Sequence, residues 1–315
     1  MWGCPGRRAW WVGLTLVAVL AVADGVGWGQ EAKPAAPPVA VASQPQRLPD
    51  EVRQAIAAVR RFQELEVADA DAPEQASTTD LVQPLAVLSK AADESPDLDV
   101  KLTALLYAID CHRALGDKDE EARANERFFA LLQARKDEQF AWRHVNAYAQ
   151  HRLFRGLRVV SFINAFGGRE EKLFDTELVR QAAQAYEKLA QWFADSDLAP
   201  KALDKAAWVY YSCLNDFPTA IPLCARIAKQ WPQTEYHLHA EWRLGMMYYT
   251  MENWRFYRDL KPAARPEDLV AAKRHFALLV AHWPESKEAP YARHALERMA
   301  EDLDRVVIPV GPAER

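Results

Sequence analysis

Three stretches of the chain superpose without a gap: Tyr186 to Cys213 (YEKLAQWFADSDLAPKALDKAAWVYYSC), Cys224 to Met251 (CARIAKQWPQTEYHLHAEWRLGMMYYTM) and Phe276 to Leu303 (FALLVAHWPESKEAPYARHALERMAEDL). Their shared columns decide the fold. Tyr186, Cys224 and Phe276 open the copies. Leu189, Ile227 and Leu279 follow three residues on, and Phe193, Trp231 and Trp283 four further. Positions 0, +3 and +7 share one face of a helix. Ser196, Thr234 and Ser286 come next, where a hydroxyl can cap a second helix. Asp197, Glu235 and Glu288 then sit near its positive end. Six residues past the hydroxyl, Ala202, Ala240 and Ala292 let two helices approach closely. Amphipathicity alone gives apolar residues at i, i+3 and i+7. It does not place a hydroxyl, a small residue and the Ala-Pro-x-Ala of 199–202 and 289–292 in register. The pattern predicts helix pairs that expose an apolar face on both sides and bury it by stacking.

The columns Phe193, Trp231 and Trp283 are offset by 38 and 52 residues. Tetratricopeptide units repeat at about 34, so these units are long and irregular. The larger offset contains an insertion, Asn253 to Glu267 (NWRFYRDLKPAARPE), expected to be a charged loop.

Working outward, apolar residues recur at helical spacing from Asp50 onward. Ile56, Val59, Phe62 and Leu65 mark a first helix, and Leu81, Leu85 and Leu88 a second. Leu98, Leu102, Leu105 and Ile109 mark a third, closed by the turn Gly116-Asp117. Phe128, Leu131 and Leu132 belong to a fourth. Trp142, Val145 and Tyr148 mark a fifth, over 138–153. Residues 154–175 read as an irregular connection and a subdomain boundary, ending in Gly167-Gly168. Further helices are expected at 176–194, 198–214, 219–231, 235–252, 267–283 and 287–305, punctuated by Pro218, Pro232, Pro266 and Pro284. The composition agrees: 6 Ile and 8 Thr stand against 54 Ala, and Ala favours helix while β-branched residues favour sheet. The expected fold is all-α, a right-handed α-solenoid of antiparallel helix pairs. An N-terminal helical region (50–153) precedes the repeats (176–305) and a tail (306–315).

The N-terminus reads as an address. Arg7-Arg8 precede an uncharged run from Ala9 to Ala23 that ends Ala21-Val22-Ala23. A basic start, a run of about fifteen apolar residues and an A-x-A ending make a cleavable signal peptide, cut near Ala23. The run is shorter than the roughly 20 residues of a membrane span. No Cys follows it closely, so no lipid anchor is expected. Residues 24–49 are Pro/Ala-rich and read as a disordered linker. Losing Arg7 and Arg8 takes the net charge from −5 to −7, which gives no reason to expect nucleic acid as a partner.

Chemistry-bearing motifs are scarce. The 12 glycines form no G-x-G-x-x-G and no G-x-x-x-x-G-K-[ST], so Rossmann and P-loop cofactor sites are excluded. G-x-S-x-G, H-E-x-x-H and C-x-x-C are absent. His237 and His239 are i, i+2 on a helix and point apart. His144/His151 and His275/His282 are two turns apart, too far for one metal. No metal, cofactor or catalytic residue is expected. Cys213 and Cys224 are read as buried repeat residues rather than a disulfide, because the turn between them puts them at different heights. Trp231 and Trp283 hold a repeat column and are expected in the core. Trp192 and Trp254 lie off it, as partner anchors or as gap fillers.

Trp231-Pro232-Gln233-Thr234, Trp283-Pro284-Glu285-Ser286 and the final helix 291–303 resemble the tetratricopeptide-like repeats of periplasmic envelope proteins. The nearest likeness is to the BamD-type component of the outer-membrane β-barrel assembly machinery, then to the cell-division coordinator of the Tol–Pal system. The likeness spans about residues 176–305. It departs from the BamD type in lacking the lipidated Cys, and residues 50–153 match only through the Gly116 hairpin. It implies a periplasmic scaffold that docks protein or extended peptide partners. The rival expectation is an exported α/α enzyme acting on envelope glycans, suggested by abundant Trp and carboxylates.

Overall fold

In the computed structural model, residues 48–68, 77–159, 172–232, 234–259 and 266–305 are described. The expected signal peptide, most of the linker and the tail 306–315 lie outside these residues. Among the described residues, eleven α-helices follow one another: α1 (Asp50–Ala68), α2 (Val82–Glu94), α3 (Leu98–Ala114), α4 (Lys118–Arg135), α5 (Glu138–Gly156), α6 (Thr176–Trp192), α7 (Leu198–Trp208), α8 (Phe217–Gln230), α9 (Glu235–Asp259), α10 (Pro266–His282) and α11 (Ala289–Arg305). A 3₁₀ turn (Thr78–Leu81) leads into α2, and a π turn (Val209–Cys213) extends α7. Consecutive helices pack on each other.

Aspartate sets five of the eleven starts. Asp97, Asp117, Asp137, Asp175 and Asp216 each accept a backbone N–H of the first turn, beginning α3, α4, α5, α6 and α8. An ionised carboxylate there satisfies an orphan donor and meets the positive end of the helix. α3 ends as its sequence predicts. Gly116 takes φ 76°, and the Asp117 amide bonds back to the His112 carbonyl at 2.9 Å. That bond needs a left-handed residue, which Gly supplies at least cost.

Two expectations are corrected. The stretch 154–175 is more ordered than its composition suggests. Residues 154–156 finish α5, and β1 (Leu157–Val159) pairs antiparallel with β2 (Lys172–Phe174) in the register Leu157↔Phe174. Residues 160–171 lie outside the described set. The insertion 253–267 is not wholly a loop either, since α9 runs on to Asp259 and α10 begins at Pro266.

The three superposed segments adopt one repeated hairpin. The amides of Phe193, Trp231 and Trp283 each bond four residues back, to Leu189, Ile227 and Leu279, at 3.2, 3.0 and 2.8 Å. The amides of Ser196, Thr234 and Ser286 then bond back to Phe193, Trp231 and Trp283, at 3.0, 3.3 and 3.1 Å. Tyr186, Cys224 and Phe276 are buried, as are Ala202, Ala240 and Ala292, while Phe193, Trp231 and Trp283 are half-buried. The hydroxyls behave less uniformly than a cap. Ser196 and Ser286 accept from the amides of Leu198 and Ala289, while Ser196 and Thr234 donate back to the carbonyls of Phe193 and Trp231.

Small residues set how closely the helices approach. α6 and α7 bury eight alanines between them, Ala182, Ala183, Ala185 and Ala190 with Ala199, Ala202, Ala206 and Ala207. On α9, a Cβ added to Gly245 would lie 2.6 Å from the Phe276 ring of α10. This mid-helix glycine is there for packing. A main core runs from α1 to α9, and a smaller one joins α10 and α11 to α9.

Candidate functional site: buried charge clusters

Three of the four buried carboxylates among the described residues gather clusters of charged partners. Asp110 on α3 is the most enclosed. Its side chain receives Gln63 of α1 at 2.9 Å, Arg152 of α5 at 2.8 Å and the His151 imidazole of α5, with Arg155 at 3.5 Å. One turn earlier on α3, the Tyr107 hydroxyl accepts from Arg60 Nε of α1 at 2.9 Å. Burial alone would raise the Asp110 pKa, but His151 and Arg152 outweigh it and hold the group far below the usual carboxylate range.

Asp204 on α7 repeats the arrangement. Arg243 of α9 donates to it, and His239 of α9 lies 3.3 Å away. Burial again opposes the charge, Arg243 and His239 prevail, and the pKa is pushed well down. The third cluster centres on Glu241 of α9. Its two oxygens meet His237 Nε2 at 3.1 Å and His275 Nδ1 of α10 at 2.6 Å. Tyr248 stacks on the His275 ring with an interplanar angle of 3°.

The segment His237-Leu238-His239-Ala240-Glu241-Trp242-Arg243 thus works on two sides. His237 and Glu241 face α10, while His239 and Arg243 face α7. The reading that His237 and His239 point apart agrees with this. Asp110 links α1, α3 and α5, and Asp204 links α7 and α9, so these bonds join odd-numbered helices that are not neighbours in sequence.

His144 bonds Asp99 on α3 at 2.7 Å, and His151 bonds Asp110, so the two histidines face different aspartates. Among the described residues, no group of three or more His, Cys, Asp or Glu is arranged to hold a metal ion. Cys111, Cys213 and Cys224 are free thiols, each pushed up to about 12 by burial. Trp192 is half-buried with its ring 6.1 Å from that of Phe129, so it fills space between α4 and α6. The side chain of Trp254 lies outside the described residues.

The sequence reading missed the three carboxylates. Asp110 interrupts an apolar run (ALLYAIDC), and a charge on a buried face is the signal that marks it. Its partners sit about 40 residues away and have no local signature.

No protein-family model matches the chain, and no curated protein matches it either. Among the described residues, no helix is long and apolar enough to cross a membrane.

Proposed function

We propose that the protein is a non-catalytic scaffold, an α-solenoid of tetratricopeptide-like helix pairs that docks protein or extended peptide partners. The observation that carries this reading is the hairpin turn repeated in register at Phe193–Ser196, Trp231–Thr234 and Trp283–Ser286. Stacked copies of one unit make a long continuous surface, the form that suits extended partners. The likeness of the Trp-Pro-x-[Ser/Thr] turns to periplasmic repeat proteins, with the leader ending at Ala23, extends the reading to an exported protein of the bacterial envelope. Outer-membrane protein assembly is the first context that likeness suggests, and cell-division coordination the second.

Four ion-paired acids favour this reading over a glycan-cleaving enzyme. A glycosidase needs one carboxyl held protonated near neutral pH by a raised pKa. Asp110, Asp175, Asp204 and Glu241 are all shifted downward by partners that outweigh burial. Such acids serve as ion-pair anchors between helices.

Crosslinking in native envelopes, followed by identification of the captured proteins, tests the proposal. Recurrent capture of barrel-assembly or division proteins supports it. Glycan cleavage by the purified chain, abolished by one carboxylate substitution, sinks it. Sequencing the N-terminus of the mature protein checks the export reading, with Asp24 expected first.

A further inference from the structure

Backbone packing divides the described helices into two blocks. α1–α4 lie close to one another, as do α5–α11. Across the division, α4 and α5 share less backbone contact than any other consecutive pair, and no other pair of helices across it shares as much. The two helices are joined only by Lys136, in the left-handed region at φ 54°, and Asp137, which caps α5.

Side chains bridge what backbones do not. The rings of Phe128 and Phe129 on α4, Tyr148 on α5 and Trp192 on α6 fill the opening at centroid distances of 5.1–6.1 Å. Bulky rings stand here where alanines stand between α6 and α7. Polar links cross the joint as well, beside the apolar core that runs through it. Asp99 of α3 meets His144 and Arg143 of α5, each at 2.7 Å, and Asp110 of α3 meets His151 and Arg152. Asn125 of α4 accepts from the Tyr148 hydroxyl at 2.7 Å, and Arg113 of α3 pairs with Asp175 at the start of α6.

We propose that the α4–α5 joint is an acid-sensitive hinge between the two blocks, kept closed near neutral pH by the contact of His144 with Asp99.

His144 is buried between α3, α4 and α5, where it lines a small cavity with Leu102, Thr103, Leu106 and Phe128. From α3 it faces Asp99. From its own helix it faces Arg143 and the Phe140 ring, at 4.5 Å. From α4, Arg135 stands 4.0 Å from the centre of that ring. Burial disfavours a charge on the imidazole, Asp99 favours one, and Arg143 and Arg135 add repulsion. The outcome is a pKa below the ordinary histidine value. A neutral His144 therefore donates Nε2–H to Asp99 in the closed form. Opening admits water to the ring and relieves that shift, so the open form binds the proton more tightly. The closed form has its full advantage above the ordinary value of about 6.5 and loses it as pH falls below.

Solution X-ray scattering on the intact chain, with far-UV circular dichroism, tests this. From about pH 7.5 to about pH 5, the radius of gyration is expected to rise while helix content stays constant. His144→Gln keeps an amide donor for Asp99 but cannot titrate, and is expected to keep its neutral-pH dimensions throughout. Unchanged wild-type dimensions, loss of helix content together with the expansion, or the same expansion in His144→Gln each overturn the proposal. If His144→Gln does not fold, Asp99→Asn decides. Losing the carboxylate moves the expansion to higher pH, and an unmoved midpoint overturns the hinge.

Discussion

At the scale of single residues, interior charge and interior glycine carry the most information. Arg152 is fully buried and its Nη1 donates to Asp110. Asp110→Ala leaves that guanidinium in the interior without its counter-charge. The expected loss, read by urea unfolding, is about 3–5 kcal/mol. Asp204 permits a pH test with a defined sign. Its folded pKa lies below the unfolded one because Arg243 and His239 outweigh burial. Its contribution is complete above the ordinary carboxylate value of about 4 and is lost as pH falls toward the depressed folded value. Asp204→Asn should therefore lower stability at neutral pH and flatten its decline in acid. Unchanged acid sensitivity would assign the decline to other groups. Gly245 tests packing alone. Its added Cβ would crowd the Phe276 ring at 2.6 Å, so Gly245→Ala should cost about 1–3 kcal/mol despite its better helix propensity. Partial recovery in a Gly245→Ala, Phe276→Leu double variant would show that the ring is the cause.

At the scale of elements, the ends of helices separate what was legible in the sequence from what was not. The Gly116 turn was legible because its chemistry is local: one residue lacking a Cβ, placed where the chain turns left-handed. Lys136 occupies the same backbone region at φ 54° with a full side chain, and nothing in its neighbourhood announces it. The two positions should respond oppositely to substitution. Gly116→Ala introduces a Cβ at φ 76° and should destabilise by about 1 kcal/mol, although nothing lies within 4 Å of that Cβ. Lys136→Gly removes a similar strain, offset by a more flexible unfolded chain, and should be neutral to slightly stabilising. Thermal unfolding of the two variants checks the sign. The apolar columns of the repeats were equally legible, because helical period is written along one element. The ion clusters were not, since Asp204 and Arg243 lie on helices 39 residues apart and meet only once the chain has packed. The ribbon at 157–159 and 172–174 was hidden for a related reason. Its pairing comes from the two strands meeting, and each strand is only three residues long.

At the scale of the whole molecule, the separation of the two cores makes stability a property of neighbours. Leu269, Ala272, Phe276, Leu279, Ala289, Ala292 and Met299 form the smaller core, against Trp242, Met246, Tyr248 and Tyr249 of α9. The larger core reaches from Val52 to Met247 and includes no residue of α10 or α11. In the proposed repeat stack, free energy is close to a sum of unit and interface contributions, so a terminal unit can be removed without dissolving the rest. A chain ending at Asp259 is therefore expected to keep the helices α1–α8. It loses the partner that His275 provides for Glu241 and uncovers the apolar face of α9. Three readouts should move together: a urea m-value reduced with the surface lost, binding of a hydrophobic dye, and self-association through the bared Trp242 and Tyr249. Restoring residues 260–315 should reverse all three. If the truncated chain instead loses its helical circular dichroism entirely, the two cores fold as one cooperative unit. The stack would then have to be described as a single globule whose repeats share a turn but not an independent stability.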